Sequence, residues 1–247
     1  KDIRGLDAVN GVDLIVKEGE IFGIAGVDGN GQTELIEVLT GLRKPEKGSI
    51  VLSGKSIYGK SPRKIIDSGV GHIPEDRHKR GLILKYSLYE NTVLGVQHKR
   101  PFSNGIVMNY KVVKDHCNKL IEEFDIRTPN ENVNASSLSG GNQQKLVAAR
   151  EIAKDPQLLI ASQPTRGLDV GAIEYIHKRL VKERDDGKAV LLVSLELDEI
   201  LALSDRIGVM YDGKIVAILK RTDATEKKLG ILMAGGSLKD NEVKSNE

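Results

Sequence analysis

The sequence carries a single cysteine in 247 residues. One thiol cannot build an internal disulfide framework, and the composition fits a reducing compartment. No apolar run reaches membrane-spanning length and no signal-peptide pattern is visible, so any link to a membrane has to run through a partner. Charge of one sign is also missing. Lys and Arg number 37 against 35 Asp and Glu, interspersed to a net charge of +2, which argues against nucleic acid or an anionic surface as the main partner. The five histidines show no ligand spacing such as HExxH, so no structural metal is expected. The first residue is Lys1 rather than methionine; excision from a longer chain explains that, and so do tags or processing. With 39% hydrophobic residues the chain can bury one sizeable core, or one core plus a smaller lobe.

Read along the chain, Val12, Leu14 and Val16 alternate with polar residues as a strand does, and Lys17–Glu20 makes the turn. Ile21 to Ala25 is a continuous apolar run of the kind buried on both faces of a sheet. The glycine-rich stretch Gly26-Val27-Asp28-Gly29-Asn30-Gly31-Gln32-Thr33 follows and leads into a helical pattern with Gly41 near its C-cap. Strand, glycine loop and helix are the context required for a phosphate-binding loop, G-x-x-x-x-G-K-[ST]. Gly26 and Gly31 hold the framing positions and Thr33 the hydroxyl position, but Gln32 replaces the lysine. Losing that charge-assisted contact to phosphate costs about 1.5–3 kcal/mol, or roughly tenfold to a hundredfold in affinity. Asp28 adds a negative charge to the same loop. Nucleotide binding there is expected to be weakened or lost.

Residues 49–58 read as a strand pair around Ser53-Gly54, and Ser61-Pro62 caps a short helix ending at Gly69. An apolar strand then runs into Glu75-Asp76-Arg77-His78-Lys79-Arg80, whose charge alone predicts a solvated turn. Ser87 to Glu90 is a capping box, residues 101–105 form a loop, and Asn109 to Phe124 is an amphipathic helix. Cys117 falls on its apolar face with Val113, Leu120, Ile121 and Phe124, as a buried hydrophobe rather than a reactive thiol.

In Leu138-Ser139-Gly140-Gly141-Asn142-Gln143-Gln144-Lys145 a hydroxyl, two glycines and amides stand before a run with Leu146, Ala149, Ile152 and Ala153 at helical spacing. This is a helix N-terminus suited to an anion: close backbone approach, an added hydroxyl, and N–H groups at the positive end of the dipole. A bare Ser-Gly-Gly would equally suit an ordinary Ser N-cap. Leu158 to Ala161 is a further apolar strand, followed by Ser162-Gln163-Pro164-Thr165 and Gly167-Leu168-Asp169, where Asp169 can N-cap a helix through Leu180. Strand 189–194, helix 197–204 and strand 206–211 come next, then an Asp212-Gly213 turn and strand 214–219. Beyond Thr222 a short helix and a frayed polar tail are expected.

The LSGGNQ run, the strand and PTRGLD after it, and the glycine loop before it resemble the ATP-binding domains of ABC-type ATPases from about Val12 to Leu219. In that family the signature motif of one domain closes over ATP held by the P-loop of another. The closest resemblance is to the second ATP-binding domain of tandem importers for sugars and nucleosides; Glu75-Asp76-Arg77 resembles a variant found there. The resemblance implies an α/β P-loop NTPase core with a mixed sheet, an antiparallel β subdomain and an inserted α-helical subdomain. It divides the chain into 1–85 (P-loop and Q-loop region), 86–154 (helical signature subdomain), 155–221 (remaining core) and 222–247 (C-terminal helix and tail). Repair and chromosome-type relatives place zinc modules or coiled coils before the signature, and the segment here has room for neither.

By the same resemblance, Glu75 stands at the Q-loop glutamine, Ser162 at the Mg²⁺-binding aspartate and Gln163 at the glutamate that activates water. Leu195 stands at the histidine that contacts the γ-phosphate, and Asp169 at the D-loop aspartate that reaches across the dimer. Ser is a poor metal ligand beside a carboxylate, Gln cannot accept a proton at neutral pH, and Leu cannot hydrogen-bond. No adenine-stacking aromatic precedes Val12. The positions for hydrolysing the chain's own ATP are thus altered (Gln32, Ser162, Gln163, Leu195), whereas those lent to a partner remain (Leu138, Ser139, Gly140, Gly141, Asp169).

This pattern predicts a domain inactive alone, with ATP bound weakly or in trans and Mg²⁺ at the partner's site. It would lie peripherally on the cytoplasmic side of the cell membrane. Its implied partners are a second, intact ATP-binding domain (in the same polypeptide or another), membrane permease subunits and, indirectly, a solute-binding protein. The alternatives are an ATPase using Glu75 or Glu196 as base, and a regulatory nucleotide-sensing module outside transport.

Overall fold

The computed structural model describes residues 8–237. Ile21–Ala25 (β1) lies fully buried in a six-stranded sheet with Val70–Ile73 (β4), Leu158–Ser162 (β5), Ala189–Val193 (β6), Arg206–Tyr211 (β7) and Lys214–Lys220 (β8). The order is β4-β5-β6-β1-β7-β8, parallel throughout except for the β7–β8 hairpin, so the sheet is mixed as expected. Strand periodicity divides the core in two. Ile21, Leu159, Ala161, Val190 and Leu192 face one side; Phe22, Ile24, Ile160, Leu191 and Val193 face the other. Parallel strands covered on both faces have to be apolar throughout, which is why these runs are continuous rather than alternating.

Gln32–Leu39 (α1) and Pro62–Asp67 (α2) supply Leu35, Ile36 and Ile65 to the second side. The first side is covered by Gly140–Ile152 (α5), Val170–Asp185 (α6), Leu197–Leu203 (α7) and Glu226–Met233 (α8), through residues such as Leu146, Ile176, Leu180, Ile200 and Leu229. The result is a helix–sheet–helix sandwich. An antiparallel pair, Val51–Leu52 (β2) and Lys55–Ser56 (β3), forms a separate small hairpin.

Between β4 and β5 lie Leu88–Thr92 (α3), Tyr110–Glu123 (α4) and α5, with no strand of the main sheet among the described residues. Ser87 and Glu90 make the capping box at α3. Cys117 and Leu120 on α4 and Phe124 beyond its end join the cluster that also holds Ile21 and Leu146, and Val113 on the same helix is buried. The helical segment therefore shares a continuous core with the first side of the sheet.

Two expectations are corrected. Residues 12–16 form no strand; Val12, Leu14 and Val16 still turn inward onto the second cluster, leaving Ile15 70% exposed. Alternation there records a covered face and not a backbone partner. The helix after Asp169 runs past Leu180 to Asp185. Residues 77–81 form a π-helical turn with His78, Lys79 and Arg80 exposed, as their charge predicts; Asp76 caps it, its carboxylate accepting from the N–H groups of His78 and Lys79. The frayed tail expected after α8 lies beyond residue 237, outside the described residues, and so does the segment before residue 8.

Candidate functional site

The parallel strands bring four sequence-predicted positions to one sheet edge. Ile24 pairs with Val193, Val193 with Ser162, and Ile73 with Ala161. The residues that follow β1, β4, β5 and β6 (the glycine loop, Glu75, Gln163 and Leu195) therefore emerge side by side beyond the carboxyl ends of the strands. That is where open α/β sheets place ligand sites.

The glycine loop turns tightly into α1. Gly31 has φ 102°, and a β-carbon there would fall 2.1 Å from the Ala8 carbonyl oxygen, so only glycine fits. Asn30 braces the loop against the β7–β8 turn: its side-chain oxygen accepts from the Asp212 N–H at 3.0 Å, and its carbonyl accepts from the Gly213 N–H at 3.0 Å. Val27, Asp28 and Gly29 are exposed, and Thr33 is half-buried. No side chain caps α1, so its first N–H groups are left for an anion. Gln32, only 7% exposed, turns its amide inward and donates to the Val27 carbonyl at 3.1 Å. The loop fits a phosphate, but the side chain in the lysine position does not reach outward.

The metal positions fit less well. Ser162 is buried and neutral. Gln163, held at φ 43°, donates its amide N–H to Glu75 Oε2 at 3.2 Å. Glu75 is the carboxylate that Gln163 meets at this edge; the other, Asp28 of the glycine loop, is exposed. Leu195 is half-buried after Ser194 and offers no polar group.

The second group of predicted residues lies around the N-termini of α5 and α6. Ser139 is the N-cap of α5; its hydroxyl oxygen accepts from the Asn142 backbone at 3.4 Å and from the Asn142 amide at 3.0 Å. Both readings of this hydroxyl thus share one atom, since a capping Ser139 remains exposed. Leu138 is buried beneath it. Asp169 caps α6 by accepting from the Ala172 N–H at 2.9 Å. A β-carbon on Gly141 would lie 3.0 Å from Ala172 Cβ and 3.3 Å from Asp169 Oδ2; one on Gly140 would lie 2.9 Å from the Arg77 guanidinium. The two glycines let the α5 start, the α6 start and Arg77 approach one another. Asn142 Oδ1 accepts from the Arg127 N–H at 2.9 Å.

Charge patterning did not reveal how the 75–80 segment joins these elements. His78 Nε2 lies 2.9 Å from Gln143 Oε1, and Arg77 Nε donates to the same oxygen at 3.4 Å. Arg77 Nη1 reaches the Arg166 carbonyl at 3.4 Å. A cleft of about 290 Å³ opens between Glu75, Asp76, Arg77, His78, Arg166 and Gly167. From the other side Arg80 pairs with Glu37 of α1 at 2.6 Å and Arg43 joins at 2.7 Å. Burial works to raise the Glu37 pKa, yet the two guanidiniums outweigh it and hold the carboxyl below its ordinary range. The turn at 77–81 therefore ties the helix after the glycine loop to the helix of the LSGGNQ motif.

The model of a family described as ABC transporter matches residues 9–166. The guanosine import ATP-binding protein NupO of Bacillus subtilis is 55% identical over 240 residues, covering 97% of this chain and 47% of that protein. The nucleoside import ATP-binding protein NupA of Lactococcus lactis is likewise 55% identical over 240 residues, at the same coverages. The chain thus spans about half the length of the curated relatives it matches. Among solved structures, the dimeric post-hydrolysis state of the ATP-binding cassette MJ0796 bound to ADP and Pi superposes with a TM-score of 0.74. Its identity is 25%, over 87% of this chain and 90% of that one.

Proposed function

Because the chain belongs to the ABC transporter family, we propose that it is the degenerate ATP-binding half of a nucleoside or sugar importer, lending its LSGGNQ signature to a partner's ATP site. The observation that carries the reading is the contrast between the two groups of residues. At the sheet edge Gln32 spends its amide on Val27, Ser162 and Gln163 are neutral, and Leu195 is apolar. At the α5 and α6 termini Ser139 and Asp169 are exposed and Gly140 half-buried, assembled around the buried Gly141 where a second molecule can meet them. Absence of a general base alone removes about 10²–10⁴ in rate.

In this reading ATP is held weakly or in trans, and Mg²⁺ belongs to the partner's site. The P-loop residues Gly29 to Thr33 would hold phosphate oxygens through backbone N–H groups and the Thr33 hydroxyl. The partner is a second ABC ATP-binding domain with intact motifs, in the same or another polypeptide. The similarity to nucleoside import proteins supports membrane permease subunits as further partners and a peripheral position on the cytoplasmic side. No helix among the described residues is long and apolar enough to cross a membrane. We assign 86–154 as the helical signature subdomain between two parts of the core, 1–85 and 155–221, with 222–247 as the C-terminal extension.

The test is ATP turnover by the chain alone and after adding an ABC domain with an intact P-loop lysine and catalytic acids. Silence alone, then turnover that Ser139→Ala abolishes in the mixture, is the expected result. Robust turnover by the chain alone would sink the reading. Glu75, the carboxylate bonded to Gln163, would then be the first residue to replace.

A further inference from the structure

The loop between β5 and α6 is held by side chains that neither group of motif residues includes. Thr165, buried, donates its hydroxyl to Glu199 Oε1 at 2.8 Å. The same oxygen lies 2.9 Å from His177 Nε2. Glu199 is 4% exposed, and its other oxygen is buried without a hydrogen-bond partner. From α5, Gln144 donates its amide N–H to the Pro164 carbonyl at 2.7 Å, also buried. The Gln163 N–H donates to the Val193 carbonyl at 2.7 Å, fixing the loop to the end of β6.

A carboxylate sunk in the interior with one oxygen unsatisfied works against stability, and an apolar side chain of similar size would fill the same space at lower cost. What Glu199 does supply is geometric. Thr165 lies on the loop that enters the α6 N-terminus and His177 on the body of α6, so one carboxylate oxygen grips both sides of Asp169. Asp169 in turn faces Gly141 at the start of α5. Gln144, on that same α5, holds the adjacent carbonyl. Glu199 itself stands on α7, which begins just after Leu195 at the sheet edge.

We propose that Glu199, acting through Thr165 and His177, is a positioning residue that sets the presentation of Asp169 and of the Ser139 helix terminus to the partner domain. The inference rests on the donated-signature reading. It adds that the lent elements are indexed to the edge of the chain's own sheet. A displacement of α7 there is passed to Asp169 through one buried carboxylate, and the face offered to the partner moves with it.

The experiment compares Thr165→Val with Thr165→Ser, alongside Ser139→Ala, in the mixture of this chain with an intact ABC domain. Thr165→Val keeps the shape and removes the donor. The expected result is a loss of about tenfold in turnover, the order that one charge-assisted hydrogen bond supports. Thr165→Ser restores it, and adding Asp169→Ala to Thr165→Val lowers it no further than Asp169→Ala alone. In the isolated chain, hydrogen exchange quickens at residues 139–146 and 165–172 while β1 and β6 stay protected.

Turnover unchanged by Thr165→Val would overturn the proposal. So would a loss that serine does not rescue, a fully additive double variant, or exchange that quickens uniformly across the chain. If Ser139→Ala leaves turnover intact, the donated-signature reading itself has failed, whatever Thr165 does. Glu199→Ala is a poor first choice because it empties a buried site.

Discussion

The amide of Gln32 donates to the carbonyl of Val27 at 3.1 Å, so the side chain in the lysine position closes the glycine loop on itself. Replacing it with lysine exchanges an internal bond for a charge able to meet a phosphate. Gln32→Lys is expected to tighten nucleotide binding by about tenfold, the value of a hydrogen bond to a charged group. Titration calorimetry with ATP measures this. On the proposed reading, turnover by the chain alone is expected to stay absent, since Ser162 and Gln163 are unchanged. Unchanged affinity would mean that the exposed Asp28 or the loop geometry, not the missing cation, limits binding.

Asp169 has one observed duty and one proposed. Its carboxylate caps α6 through Ala172, and removing an N-cap costs about 1 kcal/mol. Asp169→Ala is expected to lower the melting temperature by about 2–4 °C for a domain of this size, whereas Asp169→Asn retains the cap acceptor and melts within a degree or so of the parent. Both variants should reduce turnover in the mixture with a partner domain, since each lacks the charge proposed to reach across. A melt that falls equally for Asn and Ala would remove the cap from the account.

A buried ionic cluster beneath α5 sets the acid response. Burial tends to raise the pKa of Glu151, but Arg150 at 2.7 Å and Lys154 at 2.8 Å hold it down at about 2. Burial pushes His72 down to about 4, and its Nε2 has no partner. Both groups bind protons more readily in the unfolded chain, so both contribute stability that is lost as pH falls. His72 acts first, from 6.5 toward 4, with an upper bound of about 3 kcal/mol. Glu151 follows from 4.5 toward 2. Denaturant melts should show stability declining from near pH 6.5, and His72→Leu should flatten the curve between 6.5 and 4. Glu151→Ala leaves Arg150 and Lys154 uncompensated and is expected to cost about 3–5 kcal/mol near neutral pH.

The elements legible in the sequence were those whose signal is local. Ile21–Ala25, Leu158–Ser162 and Ala189–Val193 are buried on both faces and read as continuous apolar runs. The caps at Ser87 and Ser139 stand immediately before the helices they bound. The motif positions were legible because their spacing is fixed. Residues 12–16 misled because a covered face and a paired strand leave the same alternation. The turn at 77–81 is solvated as its charge predicts, but the bonds of Arg80 to Glu37 and of His78 to Gln143 join residues far apart in the chain and were not legible. The bond from Thr165 to Glu199 joins residues on separate elements, each unremarkable by itself. No window of sequence contains it.

Cys117 offers a way to measure these effects without a probe of activity. The thiol is 0% exposed in the face that α4 turns to the core, and burial pushes its pKa up to about 12, partly opposed by a bond with Thr92. Attack on a disulfide reagent requires the thiolate, so at pH 8 the folded chain should remain unlabelled under conditions that modify the denatured chain completely. Labelling then proceeds only through opening of the core, and when reclosing is fast its rate follows the population of the open form. Glu151→Ala should therefore accelerate modification by about a hundredfold or more, as its cost in stability implies. Asp169→Asn should leave the rate unchanged. Rapid, stoichiometric labelling of the unaltered chain would show instead that α4 opens independently of the sheet, and that Cys117 reports on the helical segment alone.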